Sequence, residues 1–280
     1  MEDQSKIKIF IACHKPYEVY KDNVYTPIHV GRAISQYKEE MADMIGDDTG
    51  DNISEKNPYY CEMTAQYWAW KNVHDVEYIG FGHYRRTFEE RFTNENIENF
   101  FADGTDVIVA GPMYRRWRYE YLKTFVCGED LAIMLYAVKK LYPEYYDAIS
   151  KYADGCIDYP LNMFVCRKAL FDEYAKWIFD ILFECEKYIK PSPYSRARRV
   201  YGYLAEFLMP TYFMHHKYKI TPMRYVFDGK FTLGGIPKRF LFRIKLCDLI
   251  LKRGLYPQLD GDSSVEAGLK ADAILDFSQL

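Results

Sequence analysis

Short β-rich runs alternate with helical stretches through the first half of the chain, and this alternation limits the possible folds most sharply. Residues 7–12 read Ile-Lys-Ile-Phe-Ile-Ala and break at Cys13-His14-Lys15-Pro16. A second run, 76–81, leads into Gly82-His83-Tyr84-Arg85-Arg86, and a third, 105–110, ends at Gly111-Pro112. Between the first two lies a polar loop at 47–57, flanked by Gly46 and carrying Gly50. Pro58 then opens a helical stretch in which Met63, Tyr67 and Trp70 recur at helical spacing. Strand–helix alternation of this kind predicts an α/β fold, a mainly parallel sheet flanked by helices. In such sheets ligands bind beyond the carboxyl ends of the strands. Farther on, helices are expected over 131–142, 171–188 and 201–209, with a short strand over 161–166.

The last forty residues differ in character. Residues 238–253 are apolar on one side and carry Lys238, Arg239, Arg243, Lys245, Lys252 and Arg253 against Asp248; after Pro257 the chain turns acidic. The expected organisation is one domain over 1–235, then a basic amphipathic helix and an acidic tail over 236–280. Such a helix suits attachment to an anionic inner leaflet, and equally suits packing its apolar side on the domain.

Composition narrows the function. A formal net charge of −3 over 280 residues speaks against general nucleic-acid binding, which needs basic excess to displace counterions. Seven scattered cysteines form no C-x-x-C pair, so free thiols in a reducing compartment are expected. The first residues lack a signal-peptide pattern, and no apolar run approaches the roughly 18 residues that span a bilayer. A cytoplasmic protein, soluble or peripheral on the inner face of the membrane, is expected. Aromatic content is 18%, with 27 tyrosines, which serves either a core of large rings or a cleft that stacks on sugars.

Four constellations could carry chemistry. His83, Arg85 and Arg86 follow a strand, where forked guanidinium donors suit a diphosphate; strand alternation puts His83 and Arg85 on one side. A structural arginine–carboxylate pair reads equally well there. Asp47, Asp48, Asp51 and Asn52 could meet ribose hydroxyls, a base edge or a cation, or form a solvated turn. Glu62, Tyr67 and Lys71 belong to an aromatic helix whose charges need a partner or a ligand. Glu206, between Ala205 and Phe207, has the setting of a general base, or of an ion-pair partner for Arg196, Arg198 or Arg199. No serine-nucleophile, Walker or dinucleotide motif occurs.

The run Ile53-Ser54-Glu55-Lys56-Asn57 and the run from Tyr60-Cys61-Glu62-Met63 to Trp68-Ala69-Trp70-Lys71-Asn72, taken with 80–86, Asn162-Met163-Phe164 and 202–206, resemble the DUF4422 family over roughly residues 6–230. These are bacterial proteins of capsule, lipopolysaccharide and exopolysaccharide gene clusters. The resemblance implies a GT-A-like glycosyltransferase fold with a Rossmann-type mixed sheet and a helical C-terminal extension. It implies an enzyme that moves a hexose, galactofuranose in some members, from a UDP-sugar to an oligosaccharide or lipid-linked glycan acceptor. The alternative is a non-catalytic protein that binds carbohydrate or nucleotide-sugar. By this resemblance Cys13, His14, Lys15, Asp47, Asp48, Asn52, Ile53, Asn57, Glu62, Tyr67 and Lys71 surround the donor. His83, Tyr84, Arg85 and Arg86 meet its diphosphate, while Asn162 and Met163 shape the acceptor or sugar subsite. Single displacement with inversion is expected, with Glu206 as first candidate for the base and Asp158 as second. The sole Asp-x-Asp, Asp260-Gly261-Asp262, lies in the tail, away from any expected strand end. The expectation is therefore no cofactor: cations at His83, Arg85 and Arg86 in place of manganese or magnesium.

Overall fold

A computed structural model describes residues 5–114, 118–227, 230–231, 266, 269–270 and 273–279. They fall into two compact units. The first takes residues up to 112, then 159–176 and the described residues from 217 to 231; the second takes 113–158, 177–216 and the described tail residues.

In the first unit, strands β1 (Ile7–Cys13), β2 (Tyr25–His29) and β3 (Ile45–Gly46) precede helices α1 (Asn57–Tyr60) and α2 (Met63–Asn72). Strands β4 (Tyr78–His83) and β5 (Arg86–Phe88), helix α3 (Ile97–Phe101) and strand β6 (Val107–Ala110) follow. The second unit opens with β7 (Met113–Tyr114), α4 (Arg118–Leu122), α5 (Gly128–Leu141), α6 (Tyr146–Asp154) and β8 (Ile157–Asp158). Strand β9 (Phe164–Arg167) and the start of α7 (Lys168–Glu186) return to the first unit. Helix α8 (Val200–His215) belongs to the second, and β10 (Ile220–Met223), β11 (Tyr225–Phe227) and β12 (Lys230–Phe231) to the first.

Among the described residues one sheet runs in the order β10-β6-β9-β4-β1-β2-β3, with β5, β11 and β12 attached as an antiparallel extension. Along that path every neighbouring pair is parallel except those involving β9, which runs against both β4 and β6. The expected mixed, mostly parallel sheet flanked by helices is present. Its two faces follow from strand alternation. Phe10, Phe81 and Phe164 stand in register across β1, β4 and β9. Trp68 of α2 and Phe171 and Tyr174 of α7 cover that row, with ring centroids 5.0–5.8 Å apart. The opposite face carries Ile7, Ile9, Ile11 and Cys13 with Tyr78 and Val165, packed on Phe92, Ile97 and Phe101. Each such buried side chain contributes about 1.5–3 kcal/mol through apolar burial. Gly80 and Gly82 lie on this second face because a side chain has no room there. A Cβ at Gly80 would stand 2.8 Å from Cγ2 of Val165.

The second unit is helical. Helix α5 starts at a reciprocal cap between Cys127 and Asp130. Helix α8 is buried almost all round and continues through Pro210 to His215, well past the expected end at 209. Tyr152 of α6 meets Phe207 of α8 edge to face at 5.4 Å. Glu184 is buried and accepts hydrogen bonds from Lys140 and Lys187 at 2.8 and 2.5 Å.

Several local expectations shift. The helix opened by Pro58 is two helices, because Cys61 adopts a left-handed φ of 53° between them. Strand β4 extends to His83, and the expected loop beyond it is a tight hairpin into β5. The proposed 236–280 segment, including 238–253 and Asp260-Gly261-Asp262, lies outside the described residues apart from 266, 269–270 and 273–279. Among the described residues no helix is long and apolar enough to cross a membrane.

Candidate active site

Strands β1, β2, β3 and β4 are parallel, so their carboxyl ends share one edge of the first unit's sheet. Register pins them level: Ala12 with His83, Cys13 with His29, and His29 with Gly46. Neighbouring strands lie about 4.8 Å apart, so residues 13–15, 29–32, 46–48 and 83–86 converge there. Strand β9 runs the other way and brings its amino end to the same edge; Ala110 donates its N–H to the carbonyl of Met163 at 3.0 Å.

At the centre is the hairpin. His83 and Arg86 face each other across it, and directly opposed residues put their side chains on one side. His83 therefore shares a side with Arg86, not with Arg85 as simple alternation predicts, because residues 84 and 85 form the turn. Nδ1 of His83 accepts the Arg85 N–H at 3.3 Å, and its ring stacks on Tyr84 at 4.4 Å. Tyr84 is buried beneath His14, Tyr17 and Lys15, at 5.2, 5.0 and 5.9 Å. Both guanidinium groups lie over Phe227 of β11, at 5.4 Å for Arg85 and 5.0 Å for Arg86. Among the described residues neither meets a carboxylate, so the arginine–carboxylate alternative finds no partner there.

The loop at 47–54 is tightly built. Asp47 is fully buried, and its carboxylate accepts the N–H groups of Gly31 and Arg32 at 2.9 and 3.1 Å and the Ser54 hydroxyl at 2.5 Å. It ties both ends of this loop to residues 31–32 and faces no solvent. Gly31 has φ 68°, and a Cβ there would stand 2.8 Å from Asn57. Asp48 pairs with Arg32 at 3.4 Å. Helix α2 holds the rest: Tyr67 donates to Asp51, Trp68 to Thr49, and Asn72 to the Asp51 carbonyl. Burial first, then the Asp51 bond, pushes the Tyr67 hydroxyl up to about 12. Asn52 braces the turn through Gly50 and Ser54, and Asn57 binds the Cys61 carbonyl and Thr64. Ile53 is buried, while Lys71 rests on Trp70 at 3.5 Å.

Other expected contacts are interior. The Cys13 thiol is buried, pushed up to about 12 mainly by that burial, and donates to the Ile11 carbonyl. Met163 is 1% exposed and packs in the core cluster with Ile11 and Ala110. Asn162 is also 1% exposed; its amide donates to Glu62 at 2.8 Å. At this exposure neither side chain is open to solvent. Glu206 and Asp158 belong to the second unit. Asp158 accepts the Tyr152 hydroxyl at 2.9 Å, and the Arg118 guanidinium lies 3.3 Å from the Tyr152 ring centroid. Glu206 is half-buried on α8.

The edge also holds residues that sequence patterning did not single out. Both ring nitrogens of His29, Nε of Arg32, Oε1 of Gln66 and Nε of Arg85 are buried without hydrogen-bond partners among the described residues. Buried polar groups are nearly always satisfied, and leaving one unsatisfied costs about 1–3 kcal/mol. They lie along one edge, near Arg85 and Arg86, which meet no carboxylate among the described residues, an arrangement chemically able to take a polar, anionic ligand. Burial is also the main cause that holds the His29 pKa below its usual value.

The chain superposes on a solved structure described as the WbbM bifunctional glycosyltransferase in its apo form, with TM-score 0.67 and 31% identity. The match covers 81% of this chain and 46% of that one, so the chain spans less than half the length of that protein. Residues 8–217 match the model of a domain of unknown function, DUF4422, and the chain belongs to that family. No curated protein matches it.

Proposed function

We propose that the chain is a glycosyltransferase that moves a hexosyl group from a UDP-sugar to a glycan acceptor of bacterial surface polysaccharide. The observation that carries this is the carboxyl edge of the first unit, where, among the described residues, Arg85 and Arg86 meet no carboxylate and several buried polar atoms have no hydrogen-bond partner. Likeness to a glycosyltransferase structure over most of the chain supports the same class. Galactofuranose is the first donor sugar to test, and a lipid-linked glycan the first acceptor. The segment 238–253 is proposed to lie on the anionic inner leaflet near that acceptor.

The proposed reaction is a single displacement with inversion. An acceptor hydroxyl attacks the anomeric carbon as the bond from that carbon to the diphosphate oxygen breaks. The hydroxyl proton passes to a carboxylate, Glu206 first and Asp158 second, and UDP leaves with the bonding electron pair. His83, Arg85 and Arg86 offset the charge that develops on the leaving diphosphate; such fixed donors stabilise most where charge appears in the transition state. His14 and Lys15 extend that field, while Asp47, Asn52 and Asn57 keep the surrounding loops in place.

A thermal-shift series with UDP, UDP-galactose and UDP-galactofuranose, each with manganese or EDTA, tests this. A ligand at a hundred times its dissociation constant stabilises by about 2.7 kcal/mol. Stabilisation that persists in EDTA supports cations in the metal's role, and stabilisation only with manganese overturns that part. No stabilisation by any of the three overturns the donor class.

A further inference from the structure

Among the described residues five non-glycine residues have positive φ: Cys61, Leu161, Asn162, Lys217 and Ala273. Left-handed backbone is costly for side chains other than glycine and persists where the surroundings over-determine it. Three of the five sit at or beside a single hydrogen bond, from Nδ2 of Asn162 to Oε1 of Glu62 at 2.8 Å. Cys61, at 53°, turns the chain immediately before Glu62; Leu161 and Asn162, at 83° and 49°, turn it into β9. Gln66 then donates its amide to the Asn162 carbonyl at 3.2 Å, locking the same residue from α2.

What this strained arrangement fixes is a carboxylate. Glu62 occupies the N-cap position of α2, yet its side chain makes no capping bond. It forms no ion pair, and its Oε2 accepts no hydrogen bond, among the described residues. Asn162 stands two residues before Phe164, which pairs with Phe81 near the carboxyl end of β4, so it lies at the same edge of the sheet as the hairpin. Glu62 is thus held at the edge where His83, Arg85 and Arg86 gather. A carboxylate repels phosphate but accepts hydroxyls, so beside a cationic diphosphate site it suits the neutral, hydroxyl-bearing part of the same ligand.

We propose that Glu62 receives a hydroxyl of the donor's sugar and determines sugar specificity, with Asn162 as the positioning residue that aims it. This rests on the nucleotide-sugar reading above, and it gives Asn162 a role toward Glu62 in place of an acceptor contact.

Calorimetric titration with UDP and with UDP-galactofuranose, on the wild-type chain and on Glu62→Gln, Asn162→Gly and the double variant, tests it. Glycine accepts the left-handed φ of position 162 while removing the side chain, so a purely conformational role of the turn predicts wild-type sugar binding from Asn162→Gly. The proposal expects each single variant to bind UDP within about twofold of wild type and to bind UDP-galactofuranose some ten- to a hundredfold more weakly, the range for a lost hydrogen bond to a charged group. The double variant is expected to be no worse than the singles, because both remove one interaction. Unchanged binding of UDP-galactofuranose by either single variant overturns this inference and leaves the nucleotide site standing if UDP still binds. Failure of the wild-type chain to bind UDP overturns both.

Discussion

Asp47 gives the most direct test of how the site is held. Its buried carboxylate accepts three hydrogen bonds, from the backbone of Gly31 and Arg32 and from the Ser54 hydroxyl. A hydrogen bond to a charged group contributes about 1.5–3 kcal/mol net. Losing all three in Asp47→Ala leaves buried donors unsatisfied and is expected to cost on the order of 3–5 kcal/mol, as when one partner of a buried charge pair is removed. Asp47→Asn keeps the shape and one acceptor oxygen but turns an amide N–H₂ toward a donor, for an expected loss of about 2 kcal/mol. In a chain of this size that lowers Tm by roughly 4–8 °C. Ser54→Ala removes one bond and is expected to lose about 1 kcal/mol. Scanning calorimetry of the three variants gives the order directly, and UDP titration at 25 °C reads the effect on the loops that Asp47 joins. If Asp47→Asn melts within about 1 °C of wild type, the carboxylate is not bearing these bonds and the account of the loop cluster fails.

Three further outcomes follow from the geometry. Arg85→Ala and Arg86→Ala are each expected to weaken UDP binding about ten- to a hundredfold while leaving uridine binding unchanged, since a charge-assisted contact to phosphate is lost; equal losses for uridine and UDP would refute a diphosphate contact. Glu206→Gln is expected to retain UDP binding and lose turnover about a hundredfold or more, and near wild-type turnover passes the base role to Asp158. His29 has a folded pKa below the unfolded value near 6.5, so the unfolded chain binds more protons as pH falls below that value. This destabilising contribution is absent above pH 6.5 and grows on acidification, and urea melts at pH 7.5 and 5.5 should show a smaller acid loss for His29→Asn than for wild type.

Much of the first unit was legible from local pattern. The apolar run at 7–12, the strand before His83, the start of the aromatic helix and the cations of the hairpin all declare themselves within a few residues, because burial and periodicity act locally. Strand β2 did not, since Pro27 breaks the strand signal; the structure tolerates it because β3 pairs only with Ile28 and His29. His29, the last residue of β2, whose two ring nitrogens are buried without partners among the described residues, was therefore missed with it.

What the sequence by itself determined is the α/β class, the order of its principal elements and the edge on which polar residues collect, because each depends on side chains near one another along the chain. Tertiary structure alone decided how those residues meet. The hairpin exists because β5 pairs with β11, some 140 residues onward, aligning Arg86 with Phe227. The antiparallel insertion of β9 buried Asn162 and Met163 and joined Asn162 to Glu62, 100 residues apart. Such contacts are set by loop closure and packing between distant segments, which no local pattern encodes.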